Sequence, residues 1–127
     1  MSRILIVEDN AANMKLASLL LEGEGHETLQ AESAEAGLRL AREMVPDLIL
    51  LDVHLPGMDG LAAVRLLRAD PATRGIRIVA LTAMAMSGDR EKTEEAGCDD
   101  YISKPFHHQE FLRVVDHWLS RSPSLVR

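Results

Sequence analysis

The 127-residue sequence contains a single cysteine, Cys98, so it can form no internal disulfide and offers no cysteine-rich metal site. That usage fits a reducing compartment, with Cys98 read as a small packed residue. Aromatic residues make up only 3%, so any core must be built from Leu, Val, Ile, Ala and Met. Cations are also short: 14 Lys and Arg stand against 20 Asp and Glu, a formal net charge of -6. Nothing is left over to neutralise a phosphate backbone, which argues against direct DNA binding. Long apolar runs are missing too. Met1-Ser2-Arg3 leads into only the four apolar residues Ile4 to Val7 before Glu8, too few for a signal peptide or a membrane span. A soluble, cytoplasmic protein with no membrane partner is expected. The remainder is ordinary globular material, 46% apolar and 27% charged, enough for one self-sufficient domain. No linker, low-complexity tract or repeat marks a second one. Residues 1–121 should form the domain and 122–127 a short polar tail. Met1 and that brief tail favour a chain that stands alone over a piece of a larger one.

Arg3 to Val7 is a β-branched apolar run, and Ala11 to Glu22 carries Met14, Ala17 and Leu21 at helical spacing. Strand, loop and helix then recur. His26 to Ala31 reads as a strand. Ser33 can cap a helix whose inner face includes Leu38 and Ala41, closed by Pro46. Asp47 to Asp52 holds Leu48, Ile49, Leu50 and Leu51 in a row, the signature of a strand buried on both faces. After the turn Leu55-Pro56-Gly57, a helix starts at Asp59 or Gly60 with Leu61, Val64 and Leu67 on one side and ends at Asp70-Pro71. Ile76 to Leu81 is a fourth strand ending at Thr82. Ser87 can cap a helix running to Ala96 with Gly97 as its left-handed stop. Only Ala96 is apolar there, so this helix should be the most weakly docked. Tyr101 to Ser103 is a fifth strand, and His108 to Leu119 a last helix that turns Phe111, Val115 and Trp118 inward. Five β/α units imply an α/β fold, a doubly wound five-stranded parallel sheet with five helices in the flavodoxin-like order 2-1-3-4-5.

In such a fold the active crevice lies beyond the carboxyl ends of the strands, where the strand order reverses. Strand one ends in Glu8-Asp9, strand three in Asp52, strand four in Thr82 and strand five in Lys104. Three carboxylates brought together repel one another and call for raised pKa values, a cation, or both. Mg²⁺ suits a site of few oxygen ligands that keeps several waters, with Mn²⁺ as a second candidate, and it brings phosphoryl chemistry with it. Asp52 would then be the nucleophile that forms an acyl phosphate. Lys104 and the metal would neutralise the equatorial oxygens, while the Thr82 hydroxyl and the Ala83 amide donate hydrogen bonds to them. Each residue alone has a blander use: Asp9 and Asn10 as helix caps, Asp52 in a turn, Thr82 as a β-former, Lys104 as a surface cation. Their convergence on one rim favours the chemical use.

Ile4 to Asn10, Pro46 to Asp52, Leu55-Pro56-Gly57-Met58-Asp59-Gly60, Leu81-Thr82-Ala83 and Lys104-Pro105-Phe106 together resemble the receiver domain of two-component response regulators, over about residues 3 to 120. Among single-domain members the resemblance is to DivK-type cell-cycle regulators, through Asn13 to Leu16, Glu27 to Gln30 and Tyr101 to Pro105. The resemblance implies a CheY-like fold and transfer from a phosphohistidine, on a sensor histidine kinase or a histidine phosphotransfer protein, to Asp52. It implies Mg²⁺ on Asp9, Asp52 and the backbone carbonyl of His54, with Glu8 acting through a water. Thr82 and Lys104 would hold the phosphoryl group, Tyr101 would be the switch aromatic, and the Lys104-Pro105 bond would be cis. Charge added at Asp52 would draw Thr82 and Lys104 inward and free space for Tyr101. The weakly docked helix, strand five and the last helix would then form the surface for a downstream target protein. His54 and Met84 sit where the rate of self-hydrolysis is tuned in such proteins; His54 either positions a water or simply stands exposed. His107-His108 reads as surface. Two other classes compete. A Mg²⁺-dependent phosphohydrolase would need a second acid/base and a substrate cap, and a flavodoxin-like cofactor binder would have to place phosphate against Glu8-Asp9-Asn10.

Overall fold

A computed structural model describes residues 2–55, 57–58, 60–83 and 87–120, the side chains of 87–89 excepted. The tail expected over 122–127, the helix start at Asp59 and the tuning position Met84 lie outside the described residues. Five strands and five helices alternate among those described: β1 (Arg3–Val7), α1 (Ala11–Gly23), β2 (Glu27–Ala31), α2 (Ala34–Met44), β3 (Leu48–Asp52), α3 (Gly60–Ala69), β4 (Arg77–Thr82), α4 (Ser87–Ala96), β5 (Asp100–Ser103) and α5 (His108–Leu119). The strands pair in parallel in the order β2-β1-β3-β4-β5, the doubly wound order expected from the sequence. No helix among the described residues is long and apolar enough to cross a membrane.

Side chains of a strand alternate between the faces of its sheet, and here both faces are covered. Ile4 and Ile6 of β1, Leu48 and Leu50 of β3, and Val79 and Leu81 of β4 pack with Met14, Ala17 and Leu21 of α1 and Phe111 and Val115 of α5. Their neighbours Leu5, Val7, Ile49, Leu51, Ile78 and Ala80 pack on the other side with Ala41 of α2, Val64 and Leu67 of α3 and Ala96 of α4. The uniform apolar run of β3 follows from this double covering, and each fully buried Leu or Ile contributes about 1.5–3 kcal/mol. Cys98 joins the second layer at 9% exposure, and burial pushes its thiol up to about 12.

The element ends differ from the sequence reading by a residue or so, each for a local reason. The His26 amide donates to Leu21 O at 3.1 Å and closes α1, so β2 begins one residue later. Asp47 stands outside β3: its amide donates to Arg3 O and its carboxylate accepts from the Arg3 amide, both at 2.8 Å. The Ile76 amide closes a turn on Thr73 O at 3.0 Å, leaving β4 to start at Arg77. Asp100 pairs opposite Val79 and lengthens β5. Ser87 is the first residue of α4 rather than its cap. The other boundaries agree with the sequence pattern. Ser33 Oγ accepts from the Ala36 amide at 3.1 Å. At the end of α4 the Cys98 amide donates to Thr93 O and the Gly97 amide to Glu94 O, a paired closure that requires the positive φ of 117° at Gly97. One side chain of α3 secures that closure. Arg68 donates to Gly97 O at 2.9 Å, to Ile76 O at 2.6 Å and to Asp99 Oδ2 at 3.0 Å.

Val45 is the strained position. It closes α2 at φ 43° and ψ 69°, a left-handed conformation that a β-branched residue adopts at a cost of about 1–3 kcal/mol. Its side chain is 53% exposed and recovers little of that by packing. Val45→Asn, which accepts the left-handed region readily, should stabilise the fold by about 1 kcal/mol. A higher thermal midpoint for the variant is the expected result, and an unchanged or lower one would contradict the strain.

Candidate functional site

β1 and β3 are the central pair of the sheet, and the chain leaves their carboxyl ends in opposite directions, opening a crevice between them. Glu8 follows β1 and Asp52 ends β3. By strand alternation both fall on the side covered by α1 and α5, while Thr82 at the end of β4 falls on the α4 side. Lys104, just past β5, reaches across. Its Nζ lies 2.7 Å from Glu8 Oε1 and 3.0 Å from Asp52 Oδ2. Glu8 is 1% exposed and Asp52 4%, so the ammonium is the compensation these two buried acids need.

The remaining carboxylate oxygens are also assigned. Glu8 Oε2 accepts from the Asn10 amide at 3.0 Å, and Asp52 Oδ1 accepts from the His54 amide at 2.8 Å. Burial pushes the Glu8 carboxyl above the ordinary glutamate value and the charge of Asp52 adds to the effect, against the opposing pull of Lys104 and the Asn10 amide. Burial by itself would lower Lys104, yet its close pairing with the Glu8 and Asp52 carboxylates outweighs this and holds the ammonium above the ordinary lysine value. Lys104 is therefore a fixed positive charge across the physiological range.

Asp9 stays exposed beside this pair. One oxygen from each of Glu8, Asp9 and Asp52 lies within 4.8 Å of the others, and among the described residues this is the cluster able to hold a metal ion. A purely carboxylate set of hard oxygen donors, partly open to water through Asp9, fits a hydrated divalent cation such as Mg²⁺ and not a soft metal. Asn10 takes the simpler use: its Oδ1 accepts from the Asn13 amide at 2.9 Å and caps α1, leaving Asp9 to face the crevice.

The other sequence-selected residues arrive at the same rim. Thr82 is buried, with Ala83 exposed immediately after it. His54 is exposed, yet its ring is not idle: Nε2 lies 3.3 Å from Thr82 Oγ1 and joins the β3 loop to the end of β4. Tyr101 pairs opposite Ala80, is half-buried on the α4 side and packs against the second core layer. The Lys104-Pro105 bond is cis. His107 and His108 are exposed at the start of α5. The sequence pattern gives Gly60 only a helix start, and the structure adds a second role. A Cβ at Gly60 would meet the Asp52 carbonyl and the Val53 Cα at 2.5 Å each, so α3 can lie against the backbone of Asp52 only because this residue has no side chain.

Comparison with known proteins bears on this rim. Residues 4–116 match the family model of the response regulator receiver domain. The chain is 44% identical over 116 residues to the polar-differentiation response regulator DivK of Brucella ovis, covering 91% of this chain and 94% of that protein. Among solved structures it resembles the receiver domain of a sensor histidine kinase from Pseudomonas aeruginosa, which has a magnesium ion coordinated in its active-site cleft. That likeness has a TM-score of 0.87 and 37% identity over 94% of this chain and 98% of that one. It also resembles a CheY-like receiver domain protein from Methanospirillum hungatei, with a TM-score of 0.89 and 28% identity over 98% of both chains. The strand order, the acidic crevice and the match from residue 4 to residue 116 agree, and the chain belongs to the response regulator receiver domain family as a DivK-like response regulator.

Proposed function

We propose that Asp52 accepts a phosphoryl group from a phosphohistidine of a sensor kinase or histidine phosphotransfer protein, and that the protein passes this signal on by changing its protein contacts in the cytoplasm. The observation that supports this most is the pairing of Lys104 with both Glu8 and Asp52 at the strand-order reversal. In the transfer the P–N bond of the donor breaks as a bond forms between phosphorus and an Asp52 oxygen. The imidazole leaves with the electron pair and takes up a proton. Charge on the three equatorial oxygens is what the site must stabilise. Lys104, freed from Asp52 as that carboxylate becomes an ester-like mixed anhydride, supplies one positive charge to them. The Thr82 hydroxyl and the Ala83 amide donate hydrogen bonds, and Gly60 keeps α3 close enough to hold the Asp52 backbone still. Glu8, Asp9, Asp52 and the carbonyl of His54 would hold Mg²⁺, or Mn²⁺ in its place, which when bound neutralises further phosphoryl charge.

Residues 1–121 act as the receiver in this reading, with 122–127 as a tail. The output follows from placement. Thr82 and Tyr101 share the α4 side of the sheet, so a hydroxyl drawn toward the phosphoryl group vacates space beside the ring. The face of α4, β5 and α5 is then the surface a downstream target protein reads. Return to the resting state is by hydrolysis of the acyl phosphate within the same site, so the chain is a phosphoacceptor that assists its own turnover and not an enzyme with a separate substrate.

Incubation with acetyl phosphate and Mg²⁺ should add one phosphoryl group, about 80 Da by intact mass, to the wild type. Asp52→Asn should gain nothing, and a chelator should abolish the gain. No gain on the wild type, or an equal gain on Asp52→Asn, would overturn the assignment. His54, poised over Thr82, is placed to orient an attacking water. His54→Ala should lengthen the phosphoryl lifetime about threefold to tenfold, a fraction of what full general-base catalysis supplies. Equal lifetimes would return His54 to the status of an exposed loop residue.

A further inference from the structure

α4 is attached very differently at its two ends. Its carboxyl end is pinned: the Gly97 carbonyl and Asp99 receive the Arg68 guanidinium, which also binds Ile76 O and Arg74 O. Among the described residues of the helix only Thr93 and Ala96 are buried, and both lie in its last two turns. Arg90 stands one turn earlier. Its guanidinium carbon lies 5.6 Å from the centroid of the Tyr101 ring, within the range of a cation–π contact. The residue paired with Tyr101 in the β4–β5 ladder is the small Ala80. Glu94, one turn further along, offers Oε2 to Arg90 Nε at 3.6 Å. The guanidinium thus has a second partner on its own helix at the same time.

We infer that Arg90 is a positioning residue that latches the amino-terminal half of α4 to Tyr101, so that movement of the ring is transmitted to the helix as a pivot about its Arg68-pinned end. The inference rests on the reading of Asp52 as acceptor for what moves the ring, but not for the latch itself. With the ring in the observed position, Arg90 spans α4 and β5. When the ring leaves, Arg90 keeps its partner Glu94 on the same helix, and among the described residues of α4 the buried side chains that remain are Thr93 and Ala96, next to the Gly97 closure. A helix with so few buried side chains among its described residues opens easily, and the Tyr101 contact reaches it ahead of Thr93 and Ala96.

Hydrogen exchange on the full chain tests the latch in two arms. In the free protein, Arg90→Met keeps the stem but removes the charge. Amides of residues 90–93 should then exchange about twofold to fivefold faster, the factor expected for losing one exposed cation–π contact. Arg90→Lys should restore part of the protection. Tyr101→Leu should reproduce the acceleration, and the double variant should add nothing to it. Exchange in Arg90→Met equal to wild type, or fully additive effects in the double variant, would overturn the latch. In the second arm beryllofluoride and Mg²⁺ serve as the phosphoryl mimic. The wild type should change its protection in α4, whereas Arg90→Met should gain one phosphoryl group from acetyl phosphate as the wild type does but lose the α4 response. A full α4 response in Arg90→Met would overturn the transmission. Failure of the wild type to gain a phosphoryl group would instead overturn the acceptor reading and leave the free-protein arm to decide the latch.

Discussion

Lys104 Nζ sits 2.7 Å from Glu8 and 3.0 Å from Asp52, and the two buried acids at the carboxyl edge of the sheet depend on that position. Two carboxylates this close in a poorly hydrated crevice repel one another, and burial with the charge of Asp52 pushes the Glu8 carboxyl up. The Lys104 ammonium between them offsets that repulsion. The same ammonium leaves the cluster with a net negative charge, since three carboxylates face one lysine. A divalent cation is therefore attracted to the site in addition to Lys104 and not in its place. Removal of the lysine would leave buried charge uncompensated, an effect larger than the loss of any one apolar contact in the core.

The sheet explains why these groups meet at all. Parallel strands deliver their carboxyl ends to one edge, and the alternation that divides Ile4, Ile6, Leu48 and Leu50 from Leu5, Val7, Ile49 and Leu51 also divides the site. Glu8 and Asp52 lie toward α1 and α5, whereas Thr82 and Tyr101 lie toward α4. Chemistry at the reversal of strand order thus has a hydroxyl and a ring on the opposite face through which to act. The well-packed layers under α1, α3 and α5 hold the acids still, and the weakly packed α4 is the element free to answer.

Much of this architecture is legible in the order of residues alone. The apolar run of β3 announces a strand covered on both faces, and the residues closing each run, Glu8, Asp52, Thr82 and Lys104, announce the crevice. Three-dimensional closure is not legible in the same way. The Ile76, Asp47 and His26 boundaries are set by backbone partners far along the chain or in a turn, which periodicity does not register. Gly60 reads as a helix start, although its lack of a side chain lets α3 approach the Asp52 backbone. His54 reads as an exposed loop residue, and it is exposed, but its ring meets Thr82 across 28 positions of sequence. Arg68 and Arg90 look like surface cations on helical repeats. One is tied to three carbonyls in the connections that follow α3 and α4, and the other lies over an aromatic ring on the neighbouring strand.

A Mg²⁺ titration followed by two-dimensional amide NMR tests the acidic crevice as a cation site most directly. Saturable shifts are expected at Glu8 to Asn10, Asp52 to His54, Thr82, Ala83 and Lys104, and the Asp9→Asn substitution should weaken binding at least about tenfold, as loss of one charged ligand of a hydrated cation should. Shifts scattered over the acidic surface, or an undiminished response in Asp9→Asn, would contradict this assignment.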